Sequence, residues 1–278
     1  MTLVSMFDAV QEAIRAGGLG AFNVTSIEHA EAIVAGAEAA GRPVVLQLSE
    51  NTVAYHGSLA PLALACLSIA STTNAPVVVH LDHAVSVGLV HQAVGLGISS
   101  VMYDASALPH DANVAATTDV AAWCHSRGVF LEAELGEVGG KDGVHAPGAR
   151  TDPVEAAAYV EATHVDALAV AVGSSHAMDT RDAELDYGLI RVLAAAVAVP
   201  LVLHGASGVP DAGIVAAVSA GVVKVNIATQ LNKVMAGAVR EALAADPKLV
   251  DPRKYLGPGR DAVTAEVTRL LELLTVSP

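Results

Sequence analysis

Three histidines, His83, His176 and His204, each follow a short apolar run, in VVVHLDHA, ALAVAVGSSHA and PLVLHGASG. Imidazoles at the C-terminal ends of separate strands can converge on one divalent cation. Three neutral imidazoles leave a coordination position open, which is the pattern of a catalytic rather than a structural zinc. Asp82 stands beside the first histidine. Other polar side chains close the remaining apolar runs: Asn23, Gln47 and Ser49, His80, Asp104, Glu132 and Glu134, and Asn226. Ionised groups are costly in a plain core, and a bound cation removes that cost. The pattern points to a metal-dependent enzyme.

Glu132 and Glu134 lie two apart in a strand and so share one face. Neighbouring buried carboxylates repel and call for a cation or a proton between them. With Asp104 they form either a second cation site, for a divalent or monovalent ion, or a layer of carboxylates behind the histidines. Salt bridges at a barrel rim are the competing reading, chiefly for Glu132. The remaining histidines (His29, His56, His91, His110, His125, His145 and His164) fall in helices or loops and read as surface residues.

These groups need a scaffold that brings strand ends together. Eight apolar, β-branched runs read as strands: 19–24, 43–48, 76–81, 99–103, 129–135, 167–172, 200–203 and 222–226. Helical patterns lie between them, over 26–40, 61–73, 111–127, 153–163 and 228–245. Asp152 before Pro153 is a start signal for one of these. Eight such units predict an α/β fold, a single (β/α)8 TIM barrel over residues 1–278 with a C-terminal helical tail. A doubly wound sheet would bring a glycine-rich fingerprint after the first strand, where this chain reads GAFNVTS. In a barrel the active site is built at the C-terminal strand ends. Residues 136–151, glycine-rich and polar, have the composition of a mobile active-site loop.

Gly205, Ala206, Ser207 and Gly208 follow the seventh run, and Asn226, Ile227, Ala228 and Thr229 end and follow the eighth. That is the common phosphate position of barrel enzymes. Glycines admit an anion to the backbone, and helix N-termini present free amides. The alternative is a pair of helix caps that serve only the fold.

Composition narrows the partners. Hydrophobic residues are 53% of the chain and charged ones 16%, enough for a large core. A net charge of −14 and only 3% aromatic residues argue against nucleic acid and anionic membranes. No leader-like or bilayer-length apolar segment is evident, and Cys66 and Cys124 read as buried free thiols. A cytoplasmic protein acting on a small molecule is expected.

With these residues in place, the chain resembles the class II (metal-dependent) ketose-bisphosphate aldolases, the group of fructose- and tagatose-bisphosphate aldolases. HLDHA, SVMYDAS, LEAELGEVGG, LHGASGVP, KVNIATQ and DPRKYLGPGR resemble its motifs in order over essentially the whole length. The resemblance implies zinc on His83, His176 and His204. It implies Asp82 as the group exchanging a proton with the substrate hydroxyl beside the scissile bond. It implies that Gly205, Ala206, Ser207 and residues Asn226 to Thr229 hold the phosphate and enediolate of dihydroxyacetone phosphate. Asn23, Gln47, Ser49 and the Ala177 amide would line the same pocket. Asp104 and Glu134 match a second cation site, and homodimers or homotetramers are usual.

The chain also departs from that pattern. His176 is followed by Ala177, Met178 and Asp179 where the family carries glycine, tyrosine and lysine. The loop reads GGKDG in place of a run of acids, which leaves Asp142 as the second acid/base candidate. Arg253, Lys254 and Arg260 are candidates for a second phosphate. The altered loops admit a non-bisphosphate substrate or a non-catalytic sugar-phosphate-binding role. A zinc hydrolase would carry a paired HxH on the first strand, which here ends Phe22-Asn23.

Overall fold

The computed structural model describes residues 2–135, 150–175, 178 and 180–275. Eight parallel strands close into a barrel in sequence order. They are β1 (Leu19–Asn23), β2 (Val44–Ser49), β3 (Val77–Ala84), β4 (Ser100–Tyr103), β5 (Phe130–Glu134), β6 (Ala167–Ala169), β7 (Leu201–Leu203) and β8 (Val222–Ile227). Ahead of the barrel lies α1 (Met6–Ala16). Around it run α2 (Ile27–Ala40), α3 (Glu50–His56), α4 (Ala60–Thr72), α5 (Val87–Gly95) and α6 (His110–His125). The second half carries α7 (Pro153–Thr163), α8 (Tyr187–Ala196), α9 (Asp211–Ala220), α10 (Thr229–Ala245) and α11 (Pro252–Leu273). The TIM barrel expected from the alternating patterns is the observed fold. Asp152 caps α7 as its sequence signal requires, accepting from the amides of Val154 and Glu155.

Period-two alternation divides the interior. One core lies between strands and helices; the other lies inside the barrel and includes Leu19, Val45, Val78, Met102, Phe130 and Val202. Met6, Ala9, Val10 and Ala13 of α1 join the inner core and close its N-terminal end. Phe7 meets Phe130 edge to face, with ring centroids 5.0 Å apart. Two residues further along each strand, the same inward face turns polar. Val45 is followed by Gln47, Val78 by His80 and Phe130 by Glu132, all buried. The polar layer sits on an apolar floor.

Four expectations are corrected. β3 continues to Ala84, so His83 lies within it, and β6 stops at Ala169 rather than Val172. Residues 246–260, with their prolines and charges, read in sequence as a tail ahead of a final helix, and their second half is part of that helix: α11 starts at Pro252 and runs through Pro258, which removes one rung. His29 is buried, its Nδ1 3.0 Å from Thr25 Oγ1, and burial pushes its pKa down. Cys66 and Cys124 are buried free thiols, as expected. Among the described residues no single helix is long and apolar enough to cross a membrane.

α11 packs between α2 and α10 by close approach at glycines. A Cβ on Gly36 would lie 2.7 Å from Val267 Cβ, and one on Gly259 would run into Met235 Sδ. Gly237, inside α10, faces open space. Alanine carries the same helix-propensity gain at Gly36 and Gly237, so sterics decide the sign. Gly237→Ala is expected to stabilise by about 0.5–1 kcal/mol, and Gly36→Ala to destabilise by about 1–3 kcal/mol through overpacking. Urea unfolding midpoints of the two variants check this.

Candidate active site

A regular strand sends consecutive side chains to opposite faces, so Asp82 and His83 should not meet in one site. β3 solves this by losing register with β4 between Leu81 and Ala84. His83 takes φ 51°, a left-handed value costing a non-glycine residue about 1–3 kcal/mol. The irregularity brings its imidazole to within 4.6 Å, centroid to centroid, of the His204 ring from β7. Asp82 and His83 then line the same cavity.

Carboxylates hold both imidazoles. His83 Nδ1 donates to Asp104 Oδ2 at 2.8 Å, because a carboxylate can only accept. Asp104 Oδ1 accepts from the amide and hydroxyl of Ser106, at 3.2 and 2.6 Å. His204 Nε2 donates to Glu132 Oε1 at 3.0 Å, and its Nδ1 is 3.2 Å from Glu134 Oε2. Burial pulls the His204 pKa down, but the two carboxylates outweigh it and raise it to about 9. Glu132 also accepts from Lys224 Nζ at 2.8 Å, both side chains being fully enclosed. Burial opposes the charge on Glu132, and Lys224 and His204 hold its carboxyl well below the usual range. His80, 3.9 Å from Glu132, is held neutral near pKa 3 by burial and Lys224. Its Nδ1 lies 2.7 Å from Ser100 Oγ on the adjoining strand.

Asp82 is buried, which favours the neutral acid, yet His83, His204, Lys224 and His80 hold its pKa at about 2. Asn23 Nδ2 donates to Asp82 Oδ2 at 3.4 Å, and Gln47 Nε2 donates to Asn23 Oδ1 at 3.2 Å. Asp82 Oδ1 is enclosed with no hydrogen-bond partner among the described residues. Ligand atoms of Asp82, His83 and His204 lie within 4.8 Å of one another, as do those of His83, Asp104 and Glu134. Nitrogen and oxygen donors so placed fit a divalent cation such as zinc.

The cavity measures about 830 Å³ and opens at the C-terminal strand ends. Of the expected residues, Asn23, Ser49, Asp82, His83, Gly205, Ser207, Asn226, Ala228 and Thr229 line it. Gln47, Ala206, Ile227 and His204 are buried behind that lining. Gly205 is left-handed, and a Cβ there would run into the Ser175 carbonyl oxygen. Ser207 Oγ accepts from the amides of Ala228 and Gln230, each at 3.2 Å, which ties the β7 loop to the start of α10. Its own proton remains to be donated. Arg260 sits in α11, pairs with Glu31 on α2 at 3.0 Å and is not among the described residues that line the cavity within one chain. His176, Ala177 and Asp142 lie outside the described residues.

Glu132 is no rim residue, and its partner Lys224 was not anticipated. Lys224 stands two residues before Asn226 in β8, so strand parity carries the signal. The same step links His80 to Asp82.

Residues 2–277 match the family model for class-II fructose-bisphosphate aldolase. The chain belongs to the class-II fructose-bisphosphate aldolase family. It is 40% identical over 272 residues to the fructose-bisphosphate aldolase of Geobacillus stearothermophilus, covering 96% of this chain and 95% of that one. The probable fructose-bisphosphate aldolase of Bacillus subtilis is 39% identical with the same coverage. The crystal structure of the YdjI aldolase from Escherichia coli K12 superimposes with a TM-score of 0.87 at 31% identity, covering 98% of this chain and 97% of that one. In this class-II aldolase chain, HLDHA forms the bulged end of β3, and LHGASGVP and KVNIATQ leave β7 and β8 at the cavity. DPRKYLGPGR opens α11 in the helical layer.

Removing one member of an enclosed ion pair strands the other. Lys224→Met is expected to cost about 3–5 kcal/mol, and adding Glu132→Gln to recover much of it. Chemical denaturation of the single and double variants measures both.

Proposed function

We propose that this chain is a zinc-dependent aldolase that reversibly cleaves a phosphorylated ketose to dihydroxyacetone phosphate and an aldehyde. The observation that carries the reading is the Asp82 carboxylate. It is ionised and enclosed, with one oxygen uncommitted, beside two carboxylate-oriented imidazoles. His83, His204 and His176 would hold the zinc. When bound, zinc supplies Lewis acidity to the carbonyl beside the scissile bond and withdraws the charge that cleavage leaves there. Asp104 and Glu134 act behind the histidines or hold a second cation.

Asp82 Oδ1 accepts the proton of the substrate hydroxyl beyond the scissile bond. That oxygen becomes the aldehyde carbonyl as the carbon–carbon bond breaks, and the electron pair stays with the ketone half. Asn23, braced by Gln47, holds Oδ2 so that Oδ1 faces the substrate. Asp142 is proposed to manage the proton on the ketone half's reacting carbon. Gly205, Ala206 and Ser207, with Asn226 to Thr229, surround the phosphate. In the reverse direction Asp82 returns its proton to the new hydroxyl. A cytoplasmic homodimer or homotetramer completes the proposal, the two buried thiols fitting a reducing compartment.

Zinc-loaded protein is expected to exchange a proton of dihydroxyacetone phosphate with deuterated water, followed by NMR; no exchange would sink the reading. His204→Ala should lose both metal, by elemental analysis, and exchange. Asp82→Ala should keep the metal and cleave ketose phosphates about 10²–10⁴-fold more slowly. Unimpaired cleavage in that variant would remove the assignment.

A further inference from the structure

Two histidines outside the catalytic centre converge on one residue of the cavity wall. Thr25 lies just past β1 and lines the cavity. Its carbonyl accepts from His56 Nε2 at 3.0 Å, so that imidazole carries a proton on Nε2. Its hydroxyl lies 3.0 Å from His29 Nδ1, with Ser26 Oγ further off at 3.4 Å. His56 ends α3 and His29 belongs to the first turn of α2, so two helices grip the one residue.

The surroundings of His29 fix its tautomer. Burial holds its pKa below the usual value, so at pH 7 the ring is neutral and has one N–H. Nε2 is enclosed, with no hydrogen-bond partner among the described residues. A proton there would be a buried donor with nothing to receive it, whereas on Nδ1 it meets the Thr25 oxygen. Nδ1 therefore donates and Thr25 Oγ1 accepts. The hydroxyl keeps its own proton, which has no acceptor among the described residues.

The place of Thr25 decides what that proton meets. The extended backbone continues past β1, the Val24 amide still bonding the Gln47 carbonyl at 2.8 Å. Val24 turns into the core between strands and helices, and Asn23 and Thr25 share the opposite face. Asn23 donates to Asp82, the proposed acceptor for the first hydroxyl of the departing aldehyde. Thr25 stands one step nearer the mouth on that face, beside the next oxygen of the aldehyde half. We infer that Thr25 binds the aldehyde half by donating its hydroxyl proton to that oxygen, and that His29 is the positioning residue that orients the hydroxyl. This rests on the aldolase reading and adds a specificity-determining residue to it.

The test uses the zinc-loaded full chain in the cleavage direction, with fructose 1,6-bisphosphate, tagatose 1,6-bisphosphate and fructose 1-phosphate. The substrate cleaved fastest is carried forward, and proton exchange into dihydroxyacetone phosphate is followed in parallel. Thr25→Val keeps the shape and removes the donor. It should lower kcat/KM for cleavage at least about threefold, the worth of an ordinary hydrogen bond, and leave exchange within about twofold of the parent. Thr25→Ser, which restores the donor, should stay within about twofold in both. A smaller loss in the valine variant, or an equal loss in the serine one, overturns the donor role. A matching fall in exchange overturns the assignment to the aldehyde half. Nitrogen-15 NMR of the unaltered chain reads the tautomer without turnover, so it decides the orientation even where a variant fails to fold. The expected spectrum has the His29 proton on Nδ1, and a proton on Nε2 overturns the inference. His29→Asn puts an amide N–H in the place of Nδ1 and should cleave faster than His29→Leu, with exchange alike in both; equal cleavage overturns the role of His29. Exchange without cleavage of any of the three sugars overturns the inference alone. Absence of exchange overturns the aldolase reading and the substrate role with it, while the tautomer is still read separately.

Discussion

The enclosed Glu132 carboxylate is the group on which the interior turns. It faces Lys224 from β8, His204 from β7 and His80 from β3, so four strands meet through one side chain. Such a cluster is a poor source of net stability, because desolvating the charges costs about what their attraction returns. Its effect is on geometry. A carboxylate on Nε2 fixes the orientation of the His204 ring, and Asp104 does the same for His83 through Nδ1. Ligating histidines are commonly held this way, by acceptors one layer behind.

The barrel lets these charges lie inside a core without dissolving it. Inward positions alternate with outward ones along every strand, so the polar layer interrupts only the inner core. The larger core between strands and helices stays continuous. Strain is concentrated where the site needs it. β3 gives up its register beside β4, and His83 accepts a left-handed backbone, so that two adjacent residues serve one cavity.

Strand and helix patterns were legible because parallel strands covered on both faces read as unbroken apolar runs. Strand-end residues such as Asn23, Asp82 and His204 were legible because a polar residue closing such a run has few bland explanations. Lys224 escaped because it sits inside its run, where only the two-residue step to Asn226 betrays it. The burial of His29 depends on Thr25, four residues away at the mouth of a loop, and nothing in local composition signals it. Arg260 pairs across the helical layer with Glu31, 229 residues distant, a contact that nothing in the local sequence signals. The bulge in β3 has no composition signature, since HLDHA contains no glycine or proline to announce it.

α1 seals the barrel floor with Met6, Val10 and Ala13. Among the described residues, the chamber above opens at the C-terminal strand ends, away from that floor. A molecule entering from that side meets a closed apolar floor, so it displaces water back towards the strand ends rather than through the barrel. The uncommitted oxygen of Asp82 already lies below the reach of solvent, so the protein itself, and not its occupant, keeps that acceptor dry.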